Sequence, residues 1–199
     1  MSFGSFIFQG DEDDRMIAAQ IVSGQKELFR LLIERYERAV YGMGMSFFHN
    51  TEDASDFAQE VFLKVYHNLS SFESRSRLST WLYKIAYNTA LNSINRKKEY
   101  HSLAEDEIPT KDGIPERTLL RKLAREAVLE AIRELPERFR LCIDLFFFYD
   151  RSHQEIEVIT GFPVNTIKSH IFRAKKILRD KLKNYAGLDF GGNEWKSTF

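Results

Sequence analysis

Apolar and polar positions alternate with helical spacing along most of this chain. In the first half, apolar stripes predict three helices, over roughly residues 14–23, over residues 26–48 and from Thr51 onward, with Thr51 as the expected cap of the third. In the second half, helical spacing returns at Arg117, and Pro136 begins a further helix that is strongly apolar. Because only four prolines and ten glycines interrupt 199 residues, the pattern predicts an all-α protein.

The helical spacing fails between residues 99 and 116, where EYHSLAEDEIPTKDGIPE combines proline, glycine and several acidic residues. This break predicts an acidic linker between two small helical domains, at residues 1–98 and 117–184. Residues 185–199 contain glycines and no regular spacing, so they are expected to form a tail.

The second domain ends in two predicted helices joined by a short turn, over residues 150–182. Ser152 and Glu155 have the spacing of a capping box, and Gly161 stands where a helix commonly ends in the left-handed conformation. The second helix carries an apolar stripe and an opposite, basic face. This is the anatomy of a helix-turn-helix, whose second helix enters the DNA major groove. The alternative is an ordinary surface helix with a solvated basic face.

Between residues 74 and 98 every charged residue is basic, and aromatic and asparagine side chains are interleaved with the cations. Basic side chains follow a nucleic-acid backbone and aromatic rings stack on unpaired bases, so the segment predicts single-strand binding. Core packing is the alternative for some of these rings. The aromatic residues concerned are Phe72, Trp81, Tyr83 and Tyr87.

The third helix has an acidic face opposite its apolar stripe, and the formal net charge of the chain is zero. Zero net charge argues against a simple nucleic-acid coat, but local distribution matters more than the sum. The acidic face is either solvated surface or a docking patch for a basic partner. Its polar members are Asp53, Asp56, Gln59 and Glu60.

Chemical motifs argue for a binding protein without enzymatic activity. The five histidines have no metal-ligand spacing, and no nucleotide-binding or nucleophile motif is visible, so no metal and no cofactor are expected. Cys142 is the sole cysteine, which excludes an intramolecular disulfide and favours a reducing compartment. No signal peptide and no apolar span are apparent, so we expect a cytoplasmic protein without a membrane segment.

Three segments in this order resemble bacterial RNA polymerase sigma factors of the extracytoplasmic-function group. They are DASDFAQEVF, the segment from Phe72 to Asn92, and the run from Leu135 to a helix-turn-helix ending in TIKSHIFRAKKIL. The resemblance covers about residues 25–183. It implies a sigma factor that binds core RNA polymerase and directs promoter-specific initiation. The first domain would be sigma region 2 and the second sigma region 4.

The resemblance also implies a role for each polar set. Core polymerase would contact the acidic face, at Asp53, Asp56, Gln59 and Glu60. The melted minus-ten strand, with one base flipped out, would lie on Phe72, Ser74, Arg75, Ser76, Thr80, Trp81, Lys84, Asn88 and Asn92. The minus-thirty-five duplex would be bound by Thr166, Lys168, Ser169, Phe172, Arg173 and Lys176, the first and last of them contacting phosphate. An anti-sigma protein is the expected inhibitory partner.

Two positions depart from the family pattern. Ser74 stands where many relatives carry glycine, so no preference for a flipped base is implied. His170 stands where a basic residue is frequent, which predicts a weaker or pH-sensitive phosphate contact. The alternative functions are a stand-alone helix-turn-helix regulator that needs no polymerase, and a helical adaptor that sequesters a partner through its acidic helix.

Overall fold

The computed structural model describes residues 11–100 and 127–182, and the side chains of 97–100 are not among those described. The described residues are helical, contain no strand and form two compact units, which confirms the predicted fold class. Helix α4 of the first unit continues to Tyr100, beyond the predicted end of the first domain at residue 98. The remainder of the predicted linker and the tail at 185–199 lie outside the described residues.

Over residues 11–100 the first unit contains four α-helices joined by short connections. Their bounds are α1 Asp11–Val22, α2 Phe29–Phe48, α3 Thr51–Asn68 and α4 Leu78–Tyr100, with short 3-10 turns at Lys26–Leu28 and Leu69–Ser71. Helix α1 begins earlier than predicted, because the acidic residues Asp11 to Asp14 form its first turn. Negative side chains favour that position next to the positive end of the helix dipole. Asn50 caps α3 by accepting a hydrogen bond from the Asp53 N–H at 2.7 Å, so the predicted cap at Thr51 is wrong by one residue.

Helices α2 and α3 pack closely at Gly44. A Cβ atom at this position would lie 2.8 Å from Cδ1 of Phe57 and 3.0 Å from the backbone Cα of Ala54. Glycine is therefore required here by the close approach of the two helices. The buried core of the first unit includes Leu32, Val40, Met43, Val61, Val65, Leu82 and Ala86.

A buried polar cluster ties α1 to α2. Asp14 is only 5% exposed, and its carboxylate accepts hydrogen bonds from the Arg35 guanidinium and the Tyr36 hydroxyl. Burial raises the pKa of the Asp14 carboxyl above its ordinary value, although both hydrogen bonds oppose that rise. The cluster gives a buried carboxylate the partners that it needs.

The described residues of the second unit contain four helices, and the last two of them form the predicted helix-turn-helix. They are α5 over residues 127–133, α6 Glu137–Ile143 followed by a π-helical turn at Asp144–Phe148, α7 His153–Thr160, and α8 Val164–Leu182. Helix α6 packs against α8. Buried Arg140 donates a hydrogen bond to the Arg133 carbonyl oxygen at 2.9 Å, at the end of α5. The apolar core includes Leu141, Cys142, Leu145, Ile156, Ile167 and Leu178.

Candidate nucleic-acid and partner interfaces

Helix α4 presents a polar stripe to solvent. Lys84, Asn88 and Asn92 are all exposed and lie four residues apart, so they line one side of the helix. The opposite side carries Leu82 and Ala86, which are fully buried in the unit's core. The stripe offers one cation and two amides, which suits the backbone and base edges of an extended nucleic-acid strand.

The structure corrects the sequence interpretation of three other α4 residues. Tyr83 and Tyr87 are 1% and 6% exposed, so both rings belong to the core and are not available for base stacking. The Tyr83 ring contacts the Tyr36 ring edge-on, with centroids 6.3 Å apart. Thr80 is fully buried, so its side chain does not reach the surface where a strand would lie. We therefore exclude Thr80 from the candidate DNA contacts.

A short loop, residues 72–77, precedes α4 and is held to it by an aromatic contact. The rings of Phe72 and Trp81 are both half-buried, and their centroids lie 5.4 Å apart. Ser76 is half-buried, and its hydroxyl donates to the Arg77 carbonyl oxygen at 3.3 Å. These two rings, each partly exposed, form an aromatic platform at the base of the loop.

The tip of this loop holds an ion pair that sequence reasoning missed. Ser74 adopts a left-handed backbone with φ of 54°, which is uncommon for a residue with a side chain. On either side of it, Nε of Arg75 lies 2.6 Å from Oε2 of Glu73. Glu73 was overlooked because the loop has no periodicity from which to infer which side chains meet.

The four predicted polymerase-contacting residues differ in their surroundings. Asp56 and Gln59 are exposed on α3. Asp53 is engaged with the Asn50 cap at the start of the helix. Oε1 of Glu60 lies 2.7 Å from Nζ of Lys64 and 3.6 Å from the Arg96 guanidinium. Only part of the predicted acidic face is therefore open negative surface.

An apolar groove of about 800 Å³ lies between α2 and α3, beside this acidic face. Leu63 is 61% exposed there, and Tyr41 on α2 is 36% exposed. Sequence analysis missed the groove, although Leu63 stands outside the apolar stripe of α3 and is the signal that could have indicated it. The groove lining is Phe29, Ile33, Glu37, Arg38, Tyr41, Ser55, Ala58, Gln59, Phe62, Leu63 and Tyr66.

The helix-turn-helix has the local geometry that its sequence predicts. The Ser152 hydroxyl accepts from the Glu155 N–H at 3.2 Å, and the Glu155 carboxylate accepts from the Ser152 N–H at 2.9 Å. Gly161 ends α7 in the left-handed conformation, with φ of 75°. The Glu157 carboxylate then accepts from the Val164 N–H at 3.1 Å and so fixes the start of α8 against α7.

Helix α8 separates its two faces as predicted. Its apolar stripe, at Ile167, Ile171, Ala174 and Leu178, is buried. Thr166 and Ser169 are half-buried, whereas the remaining predicted DNA contacts are exposed, at Lys168, Phe172, Arg173 and Lys176. Phe172 exposes 70% of its surface, which places a large apolar side chain among cations on the face predicted to read the duplex.

His170 has a different environment from the one that its sequence position suggested. Its ring is half-buried and packs against Phe139 and Phe162, with centroids 5.1 and 5.7 Å away. Burial, followed by the charges of Arg138 and Arg173, lowers the pKa of His170 below its ordinary value. The neutral ring is therefore favoured, and His170 acts first as a packing residue between α6 and α8.

The parts of the chain that the structure describes contain few features that would support metal binding, membrane insertion or nucleophilic catalysis. Over residues 11–100 and 127–182, no three potential metal ligands come together, and no helix is long and apolar enough to cross a membrane. Cys142 is fully buried, and burial raises the pKa of its thiol to about 12. A thiol in this state is a weak nucleophile.

Two helical units, one of which contains a helix-turn-helix with a basic outer face, are typical of a DNA-binding protein. The Sigma-70 region 2 family matches residues 32–100, and the Sigma-70 region 4 family matches residues 125–178. The chain is 34% identical to the RNA polymerase sigma-H factor of Pseudomonas aeruginosa, over 86% of this chain and 95% of that protein. It is 32% identical to the ECF RNA polymerase sigma-E factor of Haemophilus influenzae, over 85% of this chain and 95% of that protein.

The chain belongs to the ECF family of RNA polymerase sigma factors. Sigma factors are initiation factors without enzymatic activity, so the prediction of a non-enzyme is confirmed by family membership. Among solved structures, the fold is similar to that of the sigma factor RpoE in complex with the anti-sigma factor NepR from Bartonella quintana. The TM-score is 0.63 at 22% identity, over 78% of this chain and 96% of that one, and this likeness concerns the fold alone.

Proposed function

We propose that this sigma factor binds core RNA polymerase, melts and holds the minus-ten element as a single strand, and reads the minus-thirty-five element as duplex. The observation that carries the proposal is the pairing of two unlike surfaces on one chain. One is the Lys84, Asn88 and Asn92 stripe beside an aromatic platform, and the other is the exposed basic face of α8. A regulator that binds only duplex DNA has no use for the first of these surfaces.

The first surface would hold the strand in two ways. The platform of Phe72 and Trp81 would stack on an unpaired base, which stabilises binding by about 1–3 kcal/mol per base. Lys84 would contact the backbone, and the two asparagines would contact base edges. Flipping one base into the loop at Ser74, Arg75 and Ser76 costs a few kcal/mol, which stacking and base-edge hydrogen bonds together would offset.

The second surface would lie in the major groove. Lys168, Ser169, Phe172 and Arg173 lie in the first half of α8, where the recognition helix of a helix-turn-helix contacts base edges. Thr166 and Lys176 flank this set and would fix the register on phosphate without reading sequence. Tethering the two domains makes the second promoter contact intramolecular, so two weak elements suffice for specific binding.

Core polymerase would dock on the outer face of α3. Asp56 and Gln59 are exposed there, and the apolar groove that contains Leu63 begins beside them. Charge would orient the encounter, and the apolar groove would supply buried area. Since the Bartonella quintana relative was solved with an anti-sigma factor, we include an anti-sigma protein among the partners. Acting with polymerase on chromosomal DNA places the protein in the bacterial cytoplasm.

The test is co-elution with sigma-free core polymerase, followed by transcription from a randomised promoter pool. Binding to core and selection of a two-part promoter would support the proposal. Binding to duplex DNA without any affinity for core would favour the stand-alone regulator instead.

A double variant then tests whether the exposed stripe of α4 binds DNA and not core polymerase. Lys84→Ala with Asn88→Ala should leave core affinity unchanged and abolish open complexes, because the altered side chains lie on the exposed stripe of α4. Loss of core binding in this variant would contradict the assignment of the stripe to DNA.

A further inference from the structure

We propose that Glu157 is a specificity-determining residue of the duplex-reading surface. Its carboxylate occupies the first backbone donor of the recognition helix α8 and keeps DNA phosphate away from that end of the helix. DNA that lacks a minus-thirty-five element is thereby bound more weakly. The inference rests on the proposed function, because it assigns a role beside the helix that would read the duplex.

Helix α8 is capped by a side chain from another helix. It begins at Val164, and the preceding residue, Pro163, has no polar side chain that could accept a hydrogen bond from the first amides. Oε1 of Glu157, seven residues earlier on α7, accepts from the Val164 N–H at 3.1 Å instead. The first turn of the recognition helix therefore has a carboxylate next to its backbone donors.

The negative charge of Glu157 is not balanced by a cation. Its side chain is exposed, and none of the cations described in the second unit forms an ion pair with it. By contrast, Glu155 on the same helix lies 3.3 Å from Nη1 of the buried Arg151, so its charge is compensated. The charge of Glu157 therefore acts on any group that approaches the start of α8.

An uncompensated carboxylate is more than the fold needs at this place. A neutral side-chain oxygen caps a helix as well as a carboxylate does, since serine, asparagine and aspartate are similarly effective at the N-cap. The positive end of a helix dipole and its free amides also form a ready site for phosphate. Because Glu157 places a negative charge at that site, it repels a DNA backbone that approaches the start of α8.

This repulsion would act unequally on matching and non-matching DNA. Contacts to phosphate are independent of sequence and supply most of non-specific binding. On a matching element, base contacts hold α8 in one register, in which Thr166 and Lys176 are the proposed phosphate contacts. On other sequences the protein binds through the backbone in many registers, and some of these bring a phosphate to the start of α8. Specificity increases when such unwanted complexes are made less favourable.

The variant Glu157→Gln separates the charge from the cap. Glutamine keeps an acceptor oxygen for the Val164 N–H, so the urea midpoint of unfolding should stay that of the wild type. Holoenzyme binding is measured on a selected promoter and on the same promoter with a scrambled minus-thirty-five element, over a series of salt concentrations.

The expected effect is confined to the scrambled promoter. There Glu157→Gln should lower Kd about threefold, the scale of interactions between exposed charges. The slope of log Kd against log salt concentration should steepen by about one unit on this DNA, because one phosphate contact is gained. On the selected promoter both quantities should be those of the wild-type protein.

Two further variants serve as controls. Glu157→Ala removes both the charge and the cap, so it should show the same gain on scrambled DNA together with a lower urea midpoint. Glu130→Gln removes one negative charge from an exposed glutamate of α5 that pairs with Arg133. The chain just after α5 meets α8 near its far end, where Glu134 pairs with Lys181, so Glu130→Gln should bind both promoters as the wild type does.

The negative results have different meanings. If holoenzyme prefers the selected promoter but Glu157→Gln leaves both Kd values and the salt slope unchanged, the carboxylate acts only as a cap. The inference is then refuted, and the proposed function stands. An equal gain on both promoters would refute it as well, because specificity would be unaffected. If the wild-type holoenzyme does not distinguish the two promoters, the duplex-reading part of the proposed function fails, and the inference fails with it.

Discussion

Replacing Phe172 by alanine tests the duplex-reading face of α8 at an apolar side chain that the fold does not need. Phe172 is 70% exposed, so its removal should change the free energy of unfolding by no more than about 0.5 kcal/mol. The expected effect is therefore on DNA binding, through contact of the ring with a thymine methyl group or another apolar base edge in the major groove.

The magnitude follows from the exposed area. With roughly 200 Å² for a phenylalanine side chain, 70% exposure leaves about 140 Å² open to solvent. At about 25 cal/mol per Å², complete burial would contribute about 3.5 kcal/mol. A groove contact that covers half of this area would contribute about 1.7 kcal/mol, so Phe172→Ala should raise the Kd of holoenzyme for its promoter about 20-fold.

The assay compares holoenzyme binding to a selected promoter with binding to the same promoter carrying a scrambled minus-thirty-five element. The control is Phe148→Ala, which truncates the same residue type at 54% exposure outside α8 and should change Kd by less than about twofold. Core affinity and the urea midpoint are measured for both variants. A Phe172→Ala effect below twofold, or an equal loss on the scrambled element, would refute a base-reading role for this ring.

The remaining predictions concern stability and docking. Gly44→Ala should lower the free energy of unfolding by about 1 kcal/mol, since overpacking against Phe57 outweighs the gain in helix propensity, and a higher free energy of unfolding would contradict the close packing. Ser152→Ala should lower the free energy of unfolding by about 1 kcal/mol through loss of the capping box. An unchanged urea midpoint of unfolding would show that this cap does not stabilise the protein. Asp56→Lys should weaken core binding severalfold with an unaltered midpoint, and unchanged core affinity would make this face plain solvated surface. Burial lowers the pKa of His170, so the unfolded state binds a proton at this residue more readily than the folded state does. The contribution of the neutral His170 ring to the free energy of unfolding should be present above about pH 6.5 and decline below it. In His170→Gln the free energy of unfolding should therefore depend less on pH between about 7.5 and 5. Equal slopes for the two proteins would contradict this.

Helices that bury one continuous stripe could be predicted from the sequence. The stripe of α8 and the two signals at Ser152 and Gly161 are local, because a capping box and a left-handed glycine involve residues only a few positions apart. Helix α3 was predicted with nearly its observed start for the same reason. The choice of Asn50 over Thr51 as its cap depends on the backbone just before the helix, which the apolar pattern does not specify.

The aromatic residues of the first unit show that local sequence pattern does not predict which side chains are exposed to solvent. Trp81 is half-buried beside the loop, whereas Tyr83 and Tyr87 are in the core, although all three were grouped by their spacing among cations. Both sides of α4 carry rings, so only its packing against the other helices decides which ring faces water. The same packing buries Thr80. The pair of Glu73 and Arg75 escaped prediction for a related reason, since it depends on the backbone angle at Ser74.

The surroundings of Glu60 decide which acidic residue gives a clean test of polymerase docking. Its carboxylate lies 2.7 Å from the Lys64 ammonium and 3.6 Å from the Arg96 guanidinium, whereas Asp56 is exposed one turn earlier on the same helix. A lysine at position 60 would place three cations together and disturb α4, whose exposed stripe, continued by Arg96, is proposed to hold DNA. A loss of transcription in that variant would therefore mix docking with strand binding. Charge reversal at Asp56 alters the outer face of α3 alone, so a change in core affinity there is attributable to the docking surface.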